Sequence, residues 1–210
     1  MKTFSEHVKF MFHVLFHPFD GFYEAKFNRK KNFFLITLIY VICGFTEILR
    51  INHAGFLIRN WNVNDYNNAF VFLAAIFPYL LFAVSNWSVT TLFNGNGKLT
   101  DIIMVLAYAM VPKIFITIIG ILVSNFIIAE EVVILNAFLL IGTVMFVFIA
   151  FAGLCVVHEY SAAKTVGMAI ATVFAALIVI FLLLFFVSVI EKIFVFVSTV
   201  IKELLNKIAL

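Results

Sequence analysis

Residues 102–128 read IIMVLAYAMVPKIFITIIGILVSNFII, an apolar run whose single charged residue is Lys113. A helix rises 1.5 Å per residue, so about 20 residues cross the ~30 Å hydrocarbon core of a bilayer. The run is long enough to do so. Lipid offers no partner for an unpaired amide, so a continuous apolar stretch of this length is stable in a membrane as a helix.

Four further runs have the same character, at residues 33–49, 69–93, 132–157 and 165–190. They lack the two-residue alternation of membrane β-strands and are longer than the roughly 10 residues that such strands need. Hydrophobic residues make up 65% of the chain, against about 45–50% in soluble domains. The sequence therefore predicts an all-α polytopic membrane helix bundle with five transmembrane helices.

The two ends of the chain carry amphipathic patterns. Residues 3–17 place apolar side chains at helical spacing opposite charged and histidine side chains, which predicts an interfacial helix ended by Pro18. Asp20 and Gly21 then permit a turn, and Phe22, Tyr23 and Phe27 are expected at headgroup level. Residues 191–210 predict a second amphipathic helix on the membrane surface, or alternatively a prolongation of the fifth span.

We therefore expect one domain over residues 1–210. It comprises an interfacial segment (1–32), a five-span bundle (33–190) and a C-terminal amphipathic helix (191–210). The two longest polar-leaning segments, residues 1–32 and 50–68, are both too short to bury a core of their own.

Charge distribution predicts the orientation. Six of the 14 Lys and Arg residues precede the first span, and Arg29, Lys30 and Lys31 directly abut it. Because basic residues are retained on the cytoplasmic side, we expect a cytoplasmic N-terminus, an outer C-terminus and an inner (plasma) membrane location. The same cluster can attract anionic lipid, or serve as a topology anchor only.

Two features predict helix packing. The connector at residues 129–131 is so short that spans 3 and 4 must be antiparallel neighbours. In span 5, Gly167, Ala171 and Ala175 lie four residues apart on one face, where small side chains let another helix approach closely. That partner is a helix of the same chain or of a second copy.

Lys113 is the candidate intramembrane polar site. A charged side chain at this depth costs about 2.5–3.5 kcal/mol, so it should face protein or water. Pro112 frees the carbonyl of Tyr108 as an acceptor, and Asn86 is a further candidate partner. The other candidates are Asn125, Glu47 and Glu159. The functional interpretation is an anion or proton site, and the structural one is a buried lysine that bridges helices.

Motifs for catalysis are incomplete. Gly95-Asn96-Gly97-Lys98 lacks the spacing of a phosphate loop, and His158-Glu159 lacks the second histidine of a zinc protease helix, because Ala162 occupies its place. We therefore expect no metal, no cofactor and no enzymatic activity. The expected partners are membrane lipids and another membrane protein or a second copy, and not nucleic acid.

Three segments together resemble a known family: residues 17–24 (HPFDGFYE), residues 86–97 leading into Tyr108 and Pro112, and residues 158–165 (HEYSAAKT). The sequence is similar to the bacterial branch of the Yip family over roughly residues 14–200. The resemblance implies a polytopic, non-enzymatic protein with five spans and an inner N-terminus, in some cases serving beside transporters. It supplies no catalytic or ligand residues.

We therefore expect an accessory subunit or organiser of another membrane complex. The alternative is a small-solute or ion transporter, or a channel, with a midplane site around Lys113.

Overall fold

The computed structural model describes residues 4–27, 31–59 and 61–208, and for residue 4 and residues 203–208 it describes the backbone alone. Within these residues the chain forms helices and no strand. The helices are α1 (Phe4–Phe16), α2 (Pro18–Phe27), α3 (Phe33–His53), α4 (Asn68–Leu92), α5 (Leu99–Val123), α6 (Val132–His158) and α7 (Ala162–Ile208), with short 3-10 turns at Val63–Asp65 and Ala129–Glu131.

Helices α3 to α7 are each long and apolar enough to cross a membrane. This confirms the predicted all-α polytopic bundle. Polar side chains define where several of these helices begin: Asn32 accepts from the amide of Leu35, and Asn67 accepts from the amide of Ala69 at 2.9 Å. Such caps satisfy amides that have no partner in the first turn of a helix.

Helix α5 is the centre of the bundle and packs against α3, α4 and α6. Its neighbour α6 approaches closely where it carries glycine. A Cβ atom on Gly153 would lie 2.5 Å from Cγ1 of Val105, and one on Gly142 would lie 3.3 Å from Cα of Lys113. The predicted antiparallel pairing of spans 3 and 4 is thus confirmed.

The N-terminal pair α1–α2 differs from the prediction. Pro18 begins a second helix, and the expected turn at Asp20-Gly21 lies inside that helix. Proline suits the first helical position because the amide it lacks would have no partner there. Phe22 was expected at headgroup level, but it is fully buried, and a Cβ atom on Gly153 would lie 2.9 Å from its ring. The pair packs on α5 and α6.

We call the end of the bundle that carries α1, α2 and the α4–α5 and α6–α7 connections the near end. The far end carries the α3–α4 and α5–α6 connections.

Helix α7 is a single helix of 47 residues, about 70 Å long at 1.5 Å per residue. The separate C-terminal amphipathic helix is therefore not observed as its own element, and the prolongation of span 5 is observed instead. The sequence explains this continuity, because residues 168–208 contain no glycine or proline that would end a helix. Helix α7 packs on α4, and its buried side chains, Thr165, Met168 and Thr172, all lie in its first part. None of the described side chains between residues 177 and 202 is buried, and we call this segment the unpacked half of α7.

Candidate functional site

Lys113 lies near the middle of α5, and its amine donates a hydrogen bond to the hydroxyl of Tyr79 on α4 at 2.9 Å. The Nζ atom lies 5.7 Å from the ring centroid of Tyr79 and 5.9 Å from that of Phe146 on α6. The two rings meet edge to face, with centroids 5.5 Å apart. An ammonium within about 6 Å of an aromatic face is attracted by the ring quadrupole. Three helices thus hold the Lys113 amine.

Three cavities meet at Tyr79. A small one of about 30 Å³ is lined by Lys113, Tyr79 and Glu47 among others, and it is large enough for a water molecule. A groove of about 440 Å³ extends from Glu47, Arg50 and Tyr66 towards Tyr79. A third cavity of about 390 Å³ shares Tyr79 with the other two and reaches Ala169 of α7. Lys113 therefore borders a small cavity that also contacts the carboxylate-bearing Glu47.

The structure gives Lys113 a different partner from the predicted ones. Tyr79 was missed, although a tyrosine inside an apolar run was a visible signal. Glu47 pairs with Arg50 on the same helix face and lines the small cavity. The other candidate acceptors bond elsewhere, since Asn125 donates to the carbonyls of His53 and Ile121, and Glu159 accepts from Lys26.

The remaining members of the predicted site lie on the same helices as Lys113 or Tyr79. Pro112 is buried within α5, which continues through it, and Tyr108 is buried one turn earlier with its ring centroid 6.4 Å from that of Phe22. Asn86 is buried two turns after Tyr79 on α4, about 10 Å along the axis. It belongs to a second polar cluster.

That second cluster joins α4, α6 and α7. The amide nitrogen of Asn86 donates to the hydroxyl of Thr172 at 2.9 Å, and its oxygen meets Nε2 of His158 at 3.0 Å. All three side chains are at most 2% exposed. Because a carboxamide oxygen only accepts, Nε2 carries the proton and Nδ1 is the unprotonated nitrogen. Nδ1 is buried without a hydrogen-bond partner among the described residues.

The loop between α4 and α5 closes over His158. A Cβ atom on Gly95 would lie 2.8 Å from Nδ1 of His158, and one on Gly97 would lie 2.7 Å from Cε1. The glycines are therefore required by the close approach of the backbone to the ring. The loop at residues 94–97 thus covers a buried histidine, and Tyr160 holds the loop in place by donating to the carbonyl of Phe93 at 2.9 Å.

Charged side chains attach the N-terminal pair to the near end. Lys26 bonds Glu159 at 2.6 Å and the carbonyl of Val157 at 2.8 Å. Glu159 also accepts from Asn96 at 3.0 Å. The hydrogen bonds from Lys26 and then Asn96 hold the pKa of Glu159 below its ordinary value. Opposite charge and donated hydrogen bonds both favour the ionised carboxylate.

The predicted basic cluster is only partly visible. Arg29 and Lys30 lie outside the described residues. Lys31 is directed onto α5, where it forms an ion pair with Asp101 and donates to Thr100 at 2.9 Å. The expectation that Lys31 faces lipid is therefore corrected. Asp101 also accepts from the amide of Lys98 at the start of α5. One carboxylate thus caps α5 and pairs with the Lys31 amine.

The face of α7 that carries Gly167, Ala171 and Ala175 is not the face that packs on α4. The side chains buried where α7 packs on α4 are Thr165, Met168 and Thr172. Gly167 is exposed, and a Cβ atom there would meet no atom within 4 Å. Two residues at about 100° each place Gly167 roughly 200° around the helix from Thr165. Ala171 and Ala175 are half-buried between the two faces. Gly167 thus makes no close helix contact within the described chain.

Among the described residues, no group of three His, Cys, Asp or Glu side chains could hold a metal ion.

The family model described as the Yip1 domain matches residues 12–184, which include α2 to α6, the last five residues of α1 and the first part of α7. No curated protein and no solved structure matches the chain.

Proposed function

The chain belongs to the Yip1 domain family, and from this premise we propose that it works without catalysis, as an accessory subunit or organiser of a membrane complex. Its transmembrane helices place it among lipids. We further propose that the near end faces the cytoplasm at the inner membrane, so that the charges before α3 lie inside and α7 ends outside.

The observation that carries this proposal is the length of α7. A helix of about 70 Å is more than twice the ~30 Å thickness of the hydrocarbon core. The side chains of Phe194 and Phe196 lie beyond the Glu191-Lys192 pair and are 74% and 69% exposed. Large apolar side chains outside the hydrocarbon core are covered by a partner or by the headgroup region. We propose that a helix of another membrane protein covers them.

The exposed face at Gly167 supports the same proposal. Small side chains let two helices approach closely in a membrane, where dispersion contacts replace the hydrophobic effect. Gly167 has open space beside it, and Ala171 and Ala175 continue from it towards the unpacked half of α7. A partner helix that lies along α7 could therefore contact both the Gly167 face and the exposed side chains of Phe194 and Phe196.

The experiment compares full-length protein with two variants after purification in mild detergent. Gly167→Leu and Phe194→Ser each alter a surface that has no contact with the rest of the described chain. Phe56→Ser is the matched control, since Phe56 is 83% exposed on the α3–α4 connection. The proposal predicts a stoichiometric membrane-protein partner that both α7 variants lose and the control retains. A chain that always elutes alone, or a partner unaffected by either variant, would overturn it.

A second candidate function is transport of a small solute or ion past Lys113. The observation in its favour is the cavity of about 30 Å³ that Lys113 and Glu47 both line, which shares Glu47 and Tyr79 with the groove at the far end. Ionisable groups in such positions mark ion or proton pathways in many carriers. Flux into vesicles reconstituted with the protein would test this candidate. Equal flux through the Lys113→Ala variant and the unaltered protein would remove it.

A further inference from the structure

The cavity of about 390 Å³ beside Tyr79 is almost wholly apolar. Its volume lies within the 300–1,000 Å³ range of ligand sites in proteins. It runs between α4, α5, α6 and α7 and is lined by Phe82, Leu106, Ala150, Leu154 and Ala169, among others. The hydroxyl of Thr165 borders it but donates to the carbonyl of Ser161. Such a cavity favours hydrocarbon over water.

A basic group lies next to one wall of this hydrocarbon space. Tyr79 and Phe146 both line the cavity, and the Nζ atom of Lys113, which lines the small cavity that shares Tyr79, lies within 6 Å of both ring centroids. The amine donates to Tyr79, which leaves further N–H groups for another acceptor. An apolar cavity with Tyr79 in its wall and an amine bonded to that tyrosine is complementary to an amphiphile with an anionic head.

We propose that this site binds a single-chain amphiphile with a carboxylate head, of the long-chain fatty acid type. The carboxylate lies at Lys113 and Tyr79, and the chain extends along α6 towards Ala169 at the near end. A cavity of about 150 Å³ holds benzene, so 390 Å³ corresponds to roughly 15 carbon atoms. That is one acyl chain, and not the two of a bilayer phospholipid.

A bound carboxylate would also lower the free-energy cost of placing Lys113 at mid-membrane depth. A lone charge at mid-membrane depth is costly for the lysine and for a carboxylate alike. An amine and a carboxylic acid that meet there share one proton within a hydrogen-bonded pair, and the pair carries no net charge. The attraction between the two groups is stronger at this depth than in bulk water because the effective dielectric is lower.

This inference concerns the Lys113 site of the transport candidate, but it requires binding alone. The test uses full-length protein in phosphatidylcholine nanodiscs and two 16-carbon carboxylates with a photoreactive diazirine, placed either near the head or near the terminal methyl. After illumination, adducts are mapped by peptide mass spectrometry. The expected adducts lie around Phe146 for the head-side probe and around Leu154 and Ala169 for the tail-side probe.

Headgroup specificity is measured by competition on the unaltered protein. Palmitate should displace the probe, whereas hexadecanol, with the same chain and no carboxylate, should need at least about ten times the concentration, because a hydrogen bond to a charged group contributes about that factor. Sodium acetate at the same concentration as palmitate should leave the adduct in place. Equal competition by hexadecanol would show a groove for lipid tails, and displacement by acetate would show a free-anion site. Either result would overturn the proposal.

Two variants separate head from tail. Lys113→Met should weaken probe binding at least about tenfold, and Ala169→Phe should suppress the tail-side adduct by filling the cavity. Lys9→Met removes an exposed lysine of α1 and should change nothing. Equal labelling of Lys113→Met and Lys9→Met would contradict the proposal. If Lys113→Met does not fold, Ala169→Phe and the competition series still decide.

The labelling test can fail without affecting the proposed function. Adducts that never map to the cavity would remove this inference and leave the α7 partner proposal intact. Binding without flux would remove only the transport candidate.

Discussion

Replacing Asn86 by leucine, which has a similar volume, tests whether the cluster of Asn86, Thr172 and His158 holds α4, α6 and α7 together. The substitution removes the donor to Thr172 at 2.9 Å and the acceptor at 3.0 Å from Nε2 of His158. Both lost bonds join different helices. The affected atoms are buried, so water cannot replace the lost partner.

The two lost bonds do not cost the same. The hydroxyl of Thr172 still donates to the carbonyl of Met168 at 2.7 Å. The substitution therefore costs only the one hydrogen bond between Asn86 and Thr172, and such a bond between helices contributes on average about 0.6 kcal/mol in a membrane protein. Nε2 of His158 is left as a buried donor with no acceptor, which costs about 1–3 kcal/mol. The expected loss in the free energy of unfolding is therefore about 1.5–3.5 kcal/mol.

The assay is reversible unfolding in mixed micelles, followed by helix content. Asn52→Leu is the matched control, because Asn52 donates to Asn68 at 3.1 Å in an exposed position, and its loss should cost less than about 0.5 kcal/mol. Combining Asn86→Leu with His158→Phe should cost less than the sum of the two single variants by about 1–2 kcal/mol, since the apolar ring needs no partner. Equal costs for Asn86→Leu and Asn52→Leu, or strict additivity, would refute the reasoning.

Three further predictions follow from single contacts. Gly153→Leu should lower the free energy of unfolding by about 1–3 kcal/mol, because the added side chain meets atoms 2.5 Å from its Cβ. Gly167→Ala should instead stabilise α7 by up to about 1 kcal/mol, because a Cβ atom there meets no other atom. Unfolding in micelles measures both changes, and equal effects would be inconsistent with the observed packing. The depressed pKa of Glu159 adds stability that is fully present above its ordinary value of 4.5 and is lost as the pH falls below it. The melting temperature should therefore fall more steeply on acidification in the unaltered protein than in Glu159→Gln or Lys26→Met, and parallel curves would contradict the ion pair. Tyr79→Phe keeps the ring but removes the acceptor of Lys113, so the unfolding free energy should drop by about 1–3 kcal/mol; an unchanged value would mean that the hydroxyl is not the partner.

The fold followed from the sequence because the membrane dictates it. A long apolar run must be helical in lipid whatever it packs against, so α3 to α7 were predictable one at a time. The order of neighbours was predictable only where a connector was too short for any alternative, as at residues 129–131.

Side-chain partners depend on the rotation of each helix, and five apolar helices give little sign of their rotation. The sequence indicated that Lys113 needs a partner, but it did not indicate Tyr79, because the α4 residue that faces α5 depends on the rotation of α4. The same limit applies to Phe22, whose aromatic character suits a headgroup region and a buried slot equally well. The sequence suggested His158 only as a candidate metal ligand. The backbone that packs against its ring belongs to the loop at residues 94–97, about 60 residues earlier in the sequence, and no local pattern indicates that contact.

The proposed role depends on contact between the unpacked half of α7 and another protein in the membrane. Photo-crosslinking in intact membranes, with a photoreactive residue placed at each position from Leu177 to Lys202 in turn, detects such a contact. We expect protein adducts at positions three or four residues apart, on one face of the helix. Lipid adducts alone, distributed evenly around the helix, would contradict it.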